Sequence, residues 1–349
     1  MIEIWYGILS IMLLGFVVLE GFDIGAGMLQ YVVGKTEAER RVVIAAIGPF
    51  WTWNEVWLVG FGGTLLLAFP AILAASFAGF YLALMLLLWS LILRGISIEM
   101  SGQIADPLWR TAWHVCFVAS NVLLAILIGA TLGNILRGVP VGADGKFTLG
   151  FFTNFSPRGQ VGILDWYTVS VALLILVTFA AHGATGLVKR TEGPVRVRSL
   201  RTAKCLWQLT LAILIIVTIE TWAIRPGLVS TMIRRPLGWL GLLGVLGGVR
   251  NAFLGLRRNE ESRAVIGSGG FIAGLIIAGA AGLFPLMLRS TVAGQYSLSA
   301  NAMAADNHGL GIALVWWPIA LVLAAGYFYF TYQYYSSKVK PAEEAQAPY

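Results

Sequence analysis

Apolar residues gather along this chain into nine long runs, at about 4–33, 43–70, 71–93, 112–136, 161–188, 204–224, 237–256, 264–288 and 309–335, parted by short polar breaks. A helix needs about 20 mostly apolar residues to cross a bilayer, and every run is long enough. The pattern predicts an all-α polytopic membrane protein of nine transmembrane helices. They fill a single transmembrane domain over residues 1–338, with 339–349 as a cytoplasmic tail. An internal echo divides the domain further. The first run ends GAGMLQYVVGKTEAERR and the fifth AAHGATGLVKRTEG: small residues, then a basic residue, Thr and Glu. Thr36-Glu37 and Thr191-Glu192 stand 155 residues apart, a shift that lays helices one to four on five to eight. The expected architecture is two four-helix bundles, about 1–136 and 161–288, plus a final helix at 309–335.

Composition agrees: 58% of residues are hydrophobic, 12% are charged and the mean hydropathy is +0.79. That is far more apolar surface than one soluble core could bury. Net charge adds direction. A balance of +7 is compatible with nucleic-acid binding, but the basic residues are sorted by side, which argues against it. With the amino terminus outside, the cytoplasmic segments hold most of the Lys and Arg, including Lys35, Arg40, Arg94, Arg110, Arg196, Arg198, Arg257 and Lys338. The opposite side holds fewer, among them Arg137, Arg158, Arg225, Arg235 and Arg289. The positive-inside rule therefore puts the amino terminus outside and the carboxyl terminus in the cytoplasm. Met1-Ile2-Glu3 offers no basic n-region, so the first run reads as a retained helix and not a signal peptide. Cys116 and Cys205 lack CxxC spacing and read as packing residues.

Candidate chemistry lies in the first two runs. Glu55 sits near the middle of GPFWTWNEVWLVGFGGTLLLAFP, where a charge costs about 2.5–3.5 kcal/mol on insertion scales. Asn54-Glu55 should therefore face protein or a wet cavity. On the first helix Glu20, Asp23 and Gly27 share one face. At 1.5 Å per residue Asp23 and Glu20 lie about 16 and 21 Å in from the basic end, and Glu55 about 18 Å in on the antiparallel second helix. Gly21, Gly25 and Gly27 would let the two backbones approach closely. Carboxylates brought together in low dielectric cannot all ionise. Two readings stay open: a site that takes up and releases protons, or a neutral hydrogen-bonded cluster that fixes the bundle.

Phe50, Trp53, Trp57 and Phe61 form an aromatic stripe on the other face of the second helix. It reads either as core or lipid contact, or as one wall of a path for a small apolar molecule. His114 and His308 belong near opposite membrane faces and cannot share a haem, while His182 reads as a hydrogen-bonding residue, so no haem ligand is assigned. Asp165, Glu220 and Arg250 lie near helix ends and read as structural. Asp106-Pro107 marks a helix start, and the turn-rich loop from Arg137 to about Gln160 reads as a short cap. No catalytic or metal-ligating side chain is assigned.

GFDIGAGML, GPFWTWNEVWLVGFGGTLLLAFP, GFY at Gly79 to Tyr81, DPLWR, GNILRGVP, HGATGLVKRTEG and QYSLSANAM occur in one ordered set spanning nearly the whole chain. Together they resemble subunit II of the cytochrome bd quinol oxidases. The resemblance implies nine transmembrane helices in a bacterial or archaeal cell membrane, and a complex that oxidises quinol and reduces dioxygen to water with protons drawn from the cytoplasm. It also implies that two b-type haems and one d-type haem, with the quinol-binding loop, belong to a haem-bearing subunit I. Subunit II would support that partner, contact membrane lipid and quinone, leave room for small single-helix subunits, and border proton and oxygen routes. One departure stands out. Where the family commonly has Trp-Asp-Gly-Asn, this chain has Trp51-Thr52-Trp53-Asn54. Threonine relays through its hydroxyl but cannot hold a charge. Either Glu20, Asp23 and Glu55, with Thr52, make the proton route, or this subunit has none. Trp57 matches the tryptophan associated with the oxygen channel, and Phe61 continues the stripe. A proton- or sodium-coupled secondary transporter is the alternative, since paired bundles with mid-membrane carboxylates also suit carriers; a pure assembly scaffold is a third.

Overall fold

The computed structural model describes residues 1–335 and 337–339. Fourteen helices follow in chain order: α1 (Ile2–Met28), α2 (Gln30–Val33), α3 (Glu37–Ile47), α4 (Trp51–Ala68), α5 (Pro70–Gly79), α6 (Tyr81–Met100), α7 (Pro107–Arg137), α8 (Trp166–Arg190), α9 (Gly193–Ile224), α10 (Pro226–Ile233), α11 (Pro236–Arg258), α12 (Glu261–Leu283), α13 (Ala300–Met303) and α14 (Asn307–Tyr334). Two short strands, β1 (Leu286–Leu288) and β2 (Leu298–Ser299), pair antiparallel between α12 and α13. Eight helices are long and apolar enough to cross a membrane, and α3 with α4, bent by 44° at their break, would form another span.

Three runs are interrupted where the sequence pattern predicts continuous helices, the first of them at Leu29 between α1 and α2. Pro49 has no amide hydrogen to give to a helix, and the second run breaks there, α3 stopping at Ile47 and α4 starting at Trp51. The third run starts as α5, breaks at Phe80 and resumes as α6, which continues to Met100. Arg94, counted above among the cytoplasmic cations, is thus inside a helix and wholly buried. Arg137, placed in the loop on the other side, is the buried last residue of α7 and ion-pairs with Asp165. The eighth run also ends early, α12 closing at Leu283 and the backbone then turning into β1.

Helix starts follow their side chains. Asp106 accepts from the Trp109 amide ahead of Pro107, as the Asp-Pro signal predicts. Asp165 accepts from the Tyr167 and Thr168 amides, while its own N–H donates to the Thr168 hydroxyl, a capping box. Thr36 and Glu39 form a second box ahead of α3.

At the centre stands α8, buried along most of its length and touching α1, α7, α9 and α12. The glycines of α1 explain part of this arrangement, and not in the predicted way. Gly25 lies against the Phe179 carbonyl and Gly183 of α8, Gly21 against the Phe179 ring, and Gly27 against Asn121 of α7. They bring α1 onto α7 and α8, whereas its contact with α4 uses Gly15, over which the Trp57 ring lies. A matching seam joins α11 to α12, where Gly241 and Gly248 face Gly274 and Gly267 across touching backbones and Gly255 lies against Ala264. The loop after α7 is a structured cap: Phe147 is buried above Gly79 and packs edge-on against Phe80, with ring centroids 5.1 Å apart. Cys205 is exposed on α9 and so is no packing residue, while Cys116 is half-buried.

Candidate functional site

Three helices contribute to one polar cluster inside the apolar bundle. Glu20 and Asp23 come from α1, Asn54 and Glu55 from α4, and Arg94 from α6. The Arg94 Nη1 donates to Glu20 Oε1 and, at 3.3 Å, to Glu55 Oε1. Its Nη2 stands 3.8 Å from Asp23 Oδ2, an ion pair without a direct hydrogen bond. Asn54 Nδ2 donates to the same Asp23 oxygen at 2.7 Å and to the Leu19 carbonyl at 3.4 Å. The three predicted carboxyl groups are brought together, and the group that joins them is one that the sequence reading assigned to the cytoplasm.

Burial is uneven across the cluster. Glu20, Asp23 and Arg94 are wholly enclosed, whereas the Glu55 side chain is 26% exposed. Thr52 lies one turn away on α4 and is exposed, on the edge where Glu55 also emerges. The cluster therefore runs from the interior to the outer surface of α4. Three acids share one guanidinium, and like charges in low dielectric cannot all be ionised together. Glu20 Oε2, Asp23 Oδ1 and the Arg94 Nε and Nη2 atoms have no hydrogen-bond partner among the described residues.

Arg94 also had a signal in the sequence. Ser90, Arg94, Ser97 and Ser101 recur at spacings of four, three and four, and all are buried in or just after α6. A polar stripe at helical period on an apolar helix marks a face turned toward other polar groups.

The aromatic stripe of α4 meets a second stripe on α14. Trp53 stacks on Tyr327 with centroids 3.9 Å apart and planes 12° from parallel. Phe50 packs against Tyr332 and Tyr335, and Trp57 against Phe328 at 5.5 Å. Trp57 also borders an apolar cavity of about 130 Å³ between α1, α4 and α14, with Met12, Gly60, Trp317 and Phe328 among its walls. Phe61 lies outside this cavity and packs into the apolar cluster around Trp5 and Leu65.

His182 is fully engaged. Its Nε2 donates to the Val18 carbonyl at 2.9 Å, which leaves Nδ1 to accept from the Ser268 hydroxyl at 2.8 Å. That geometry does not fit an axial haem ligand. His308 is exposed in the first turn of α14, and His114 lies near the start of α7. Asp165 and Glu220 keep structural partners, Arg137 for the first and the Ser170 hydroxyl for the second.

Residues 1–335 match the sequence model of a family described as cytochrome bd terminal oxidase subunit II. The chain is 36% identical over 205 residues to subunit 2 of the cytochrome bd-I ubiquinol oxidase of Escherichia coli K12, covering 58% of this chain and 52% of that one. The matched stretch thus spans about half the length of that relative. A probable cytochrome oxidase subunit 2 of Haemophilus influenzae is 28% identical over 356 residues, covering 94% of this chain and 92% of its own. The fold is similar to that of a chain in the bd oxidase of Geobacillus thermodenitrificans, with a TM-score of 0.71 at 14% identity over 95% of this chain and 98% of that chain. These likenesses do not favour the transporter alternative.

Proposed function

Because the chain belongs to the family of cytochrome bd terminal oxidase subunit II, we propose that it is the subunit without haem ligands in a bacterial inner-membrane complex that oxidises quinol and reduces dioxygen to water. Its partner is a haem-bearing subunit I. That partner holds two b-type haems and one d-type haem, which supply the electron transfer to dioxygen. The chain crosses the membrane nine times, amino terminus outside and carboxyl terminus in the cytoplasm, as two bundles and a further helix.

Within that complex Glu20, Asp23 and Glu55 hold and relay protons, and Arg94 positions them. The observation that carries this reading is Glu55, partly exposed in the second turn of α4 yet tied to a wholly buried guanidinium. Against lipid a charge at that depth is expensive; against a partner subunit the same carboxyl becomes an exit from the cluster. Thr52, exposed one turn away, extends the path through its hydroxyl. The cavity beside Trp57 has the apolar walls and the size that a molecule as small as dioxygen needs, which supports an oxygen route between α4 and α14; Phe61 packs outside it.

The test is to purify the tagged native protein under mild detergent and record a reduced-minus-oxidised spectrum with a gel of its chains. Haem absorbance with a second large chain is expected. A colourless, folded, solitary chain would remove the oxidase reading. In the same preparation Glu55→Ala should slow quinol oxidation or lower haem content, and unchanged values for both would take Glu55 out of the mechanism.

A further inference from the structure

Far along the chain from the carboxylate cluster, three arginines share one cavity. Arg225, Arg235 and Arg289 border a space of about 530 Å³ between the start of α10, the end of α12 and the segment leading through β1. Arg225 is only 6% exposed. Its Nη1 donates to the Leu136 carbonyl at 2.7 Å and more weakly to that of Ile135, both neutral acceptors. Arg235 donates to the Ala281 carbonyl at 3.0 Å and lies over the Phe284 ring. No carboxylate lines the cavity, and among the described residues none of the three arginines has an acidic partner. Burial first, and then the like charge of Arg289, draw the Arg225 guanidinium down to about 10.

Three cations in a half-enclosed space without a counter-charge are costly. The cost falls if an anion completes the site. The remaining walls, Ile224, Leu228, Leu283, Phe284 and Leu286, are apolar, so the occupant should be anionic at one end and greasy at the other. The helices whose ends meet at the cavity say where it comes from. Ile215, Ile216 and Ile219 on α9 and Leu240, Leu243 and Leu246 on α11 are exposed apolar residues along membrane-crossing helices. Trp222 and Trp239, each more than half exposed, stand at the ends of those helices beside α10. Exposed tryptophans at helix ends mark the headgroup level of a bilayer. We propose that this cavity binds the phosphodiester headgroup of an anionic phospholipid, with Arg225, Arg235 and Arg289 around the phosphate and an acyl chain on the apolar wall.

Arg225 also ties down the end of α7, so its replacement is a poor test. Arg235→Gln and Arg289→Gln are the useful variants, with Arg289→Lys keeping the charge. Each is purified as the intact complex, delipidated, and titrated with mixed micelles containing phosphatidylglycerol, phosphatidylcholine or inorganic phosphate, while thermal stability and bound lipid by native mass spectrometry are read. Phosphatidylglycerol should raise the unfolding midpoint at far lower concentration than phosphatidylcholine. Each Gln variant should weaken that response roughly fivefold, the equivalent of about 1 kcal/mol per basic residue at a membrane surface, and Arg289→Lys should keep most of it. Equal responses to both lipids would overturn the proposal. So would full stabilisation by inorganic phosphate alone, Gln variants that match the parent, or a cross-link from position 289 to an acidic residue of a partner subunit.

Discussion

Among the described residues, Arg94 supplies the one positive charge that Glu20, Asp23 and Glu55 share as an ion-pair partner. Removing one member of a buried ion pair costs about 3–5 kcal/mol, because the other is left uncompensated. Arg94→Gln should therefore lower the thermal midpoint of the complex sharply or abolish its assembly. Pairing it with Glu20→Gln should recover much of the loss, since two amides can hydrogen-bond without a charge. Equal damage in the single and double variants would mean that the ion pair is not what Arg94 contributes. The acids were legible in the sequence because a carboxylate amid apolar residues stands out in any window. Arg94 was misread for the opposite reason: it closes an apolar run, and a hydropathy pattern takes the first charge after a run as the membrane boundary. Only a carboxylate partner on another helix, invisible to a linear pattern, keeps that charge inside.

At the scale of elements, the crossing of α1 over α8 depends on Gly25 and Gly183, whose backbones leave no room for a side chain. A Cβ on Gly183 would meet the Ala26 amide and the Gly25 backbone, groups that cannot turn aside. Overpacking of this kind costs about 1–3 kcal/mol and more where backbone must move. Gly183→Val should cut the yield of complex in size-exclusion chromatography, whereas Gly7→Ala, with open space around it, should leave the profile unchanged. Glycine content announced close helix packing in the sequence, but not between which helices. The same limit applies to α5 and α6: the apolar run continues across both, and Gly79 just before the break at Phe80 is too weak a signal alone to announce it. Strong caps were easier to read, as Asp106-Pro107 demonstrates.

Across the whole molecule, the polarity of the bundle rests on where the basic residues lie. Arg196 and Lys338 bond to Glu261, and Arg198 to Glu39, which gathers one end of the bundle into an ion-pair network. The cap of residues 138–165 belongs to the far end of α7. If the network faces the cytoplasm, Lys146→Cys in a cysteine-free background should react with a membrane-impermeant maleimide on intact cells, and Arg257→Cys should react only after the membrane is opened. The reverse labelling would invert the topology. One more consequence follows from the order in which the cluster's members occur along the chain. Glu20, Asp23 and Glu55 all precede Arg94, so a ribosome delivers three acids to the membrane before it delivers the base. A carboxylic acid can wait in lipid by taking up a proton, whereas a guanidinium cannot shed its charge. When α6 enters the bilayer its counter-charges are already in place, so the acids-first order spares Arg94 from entering before the groups that pair with it.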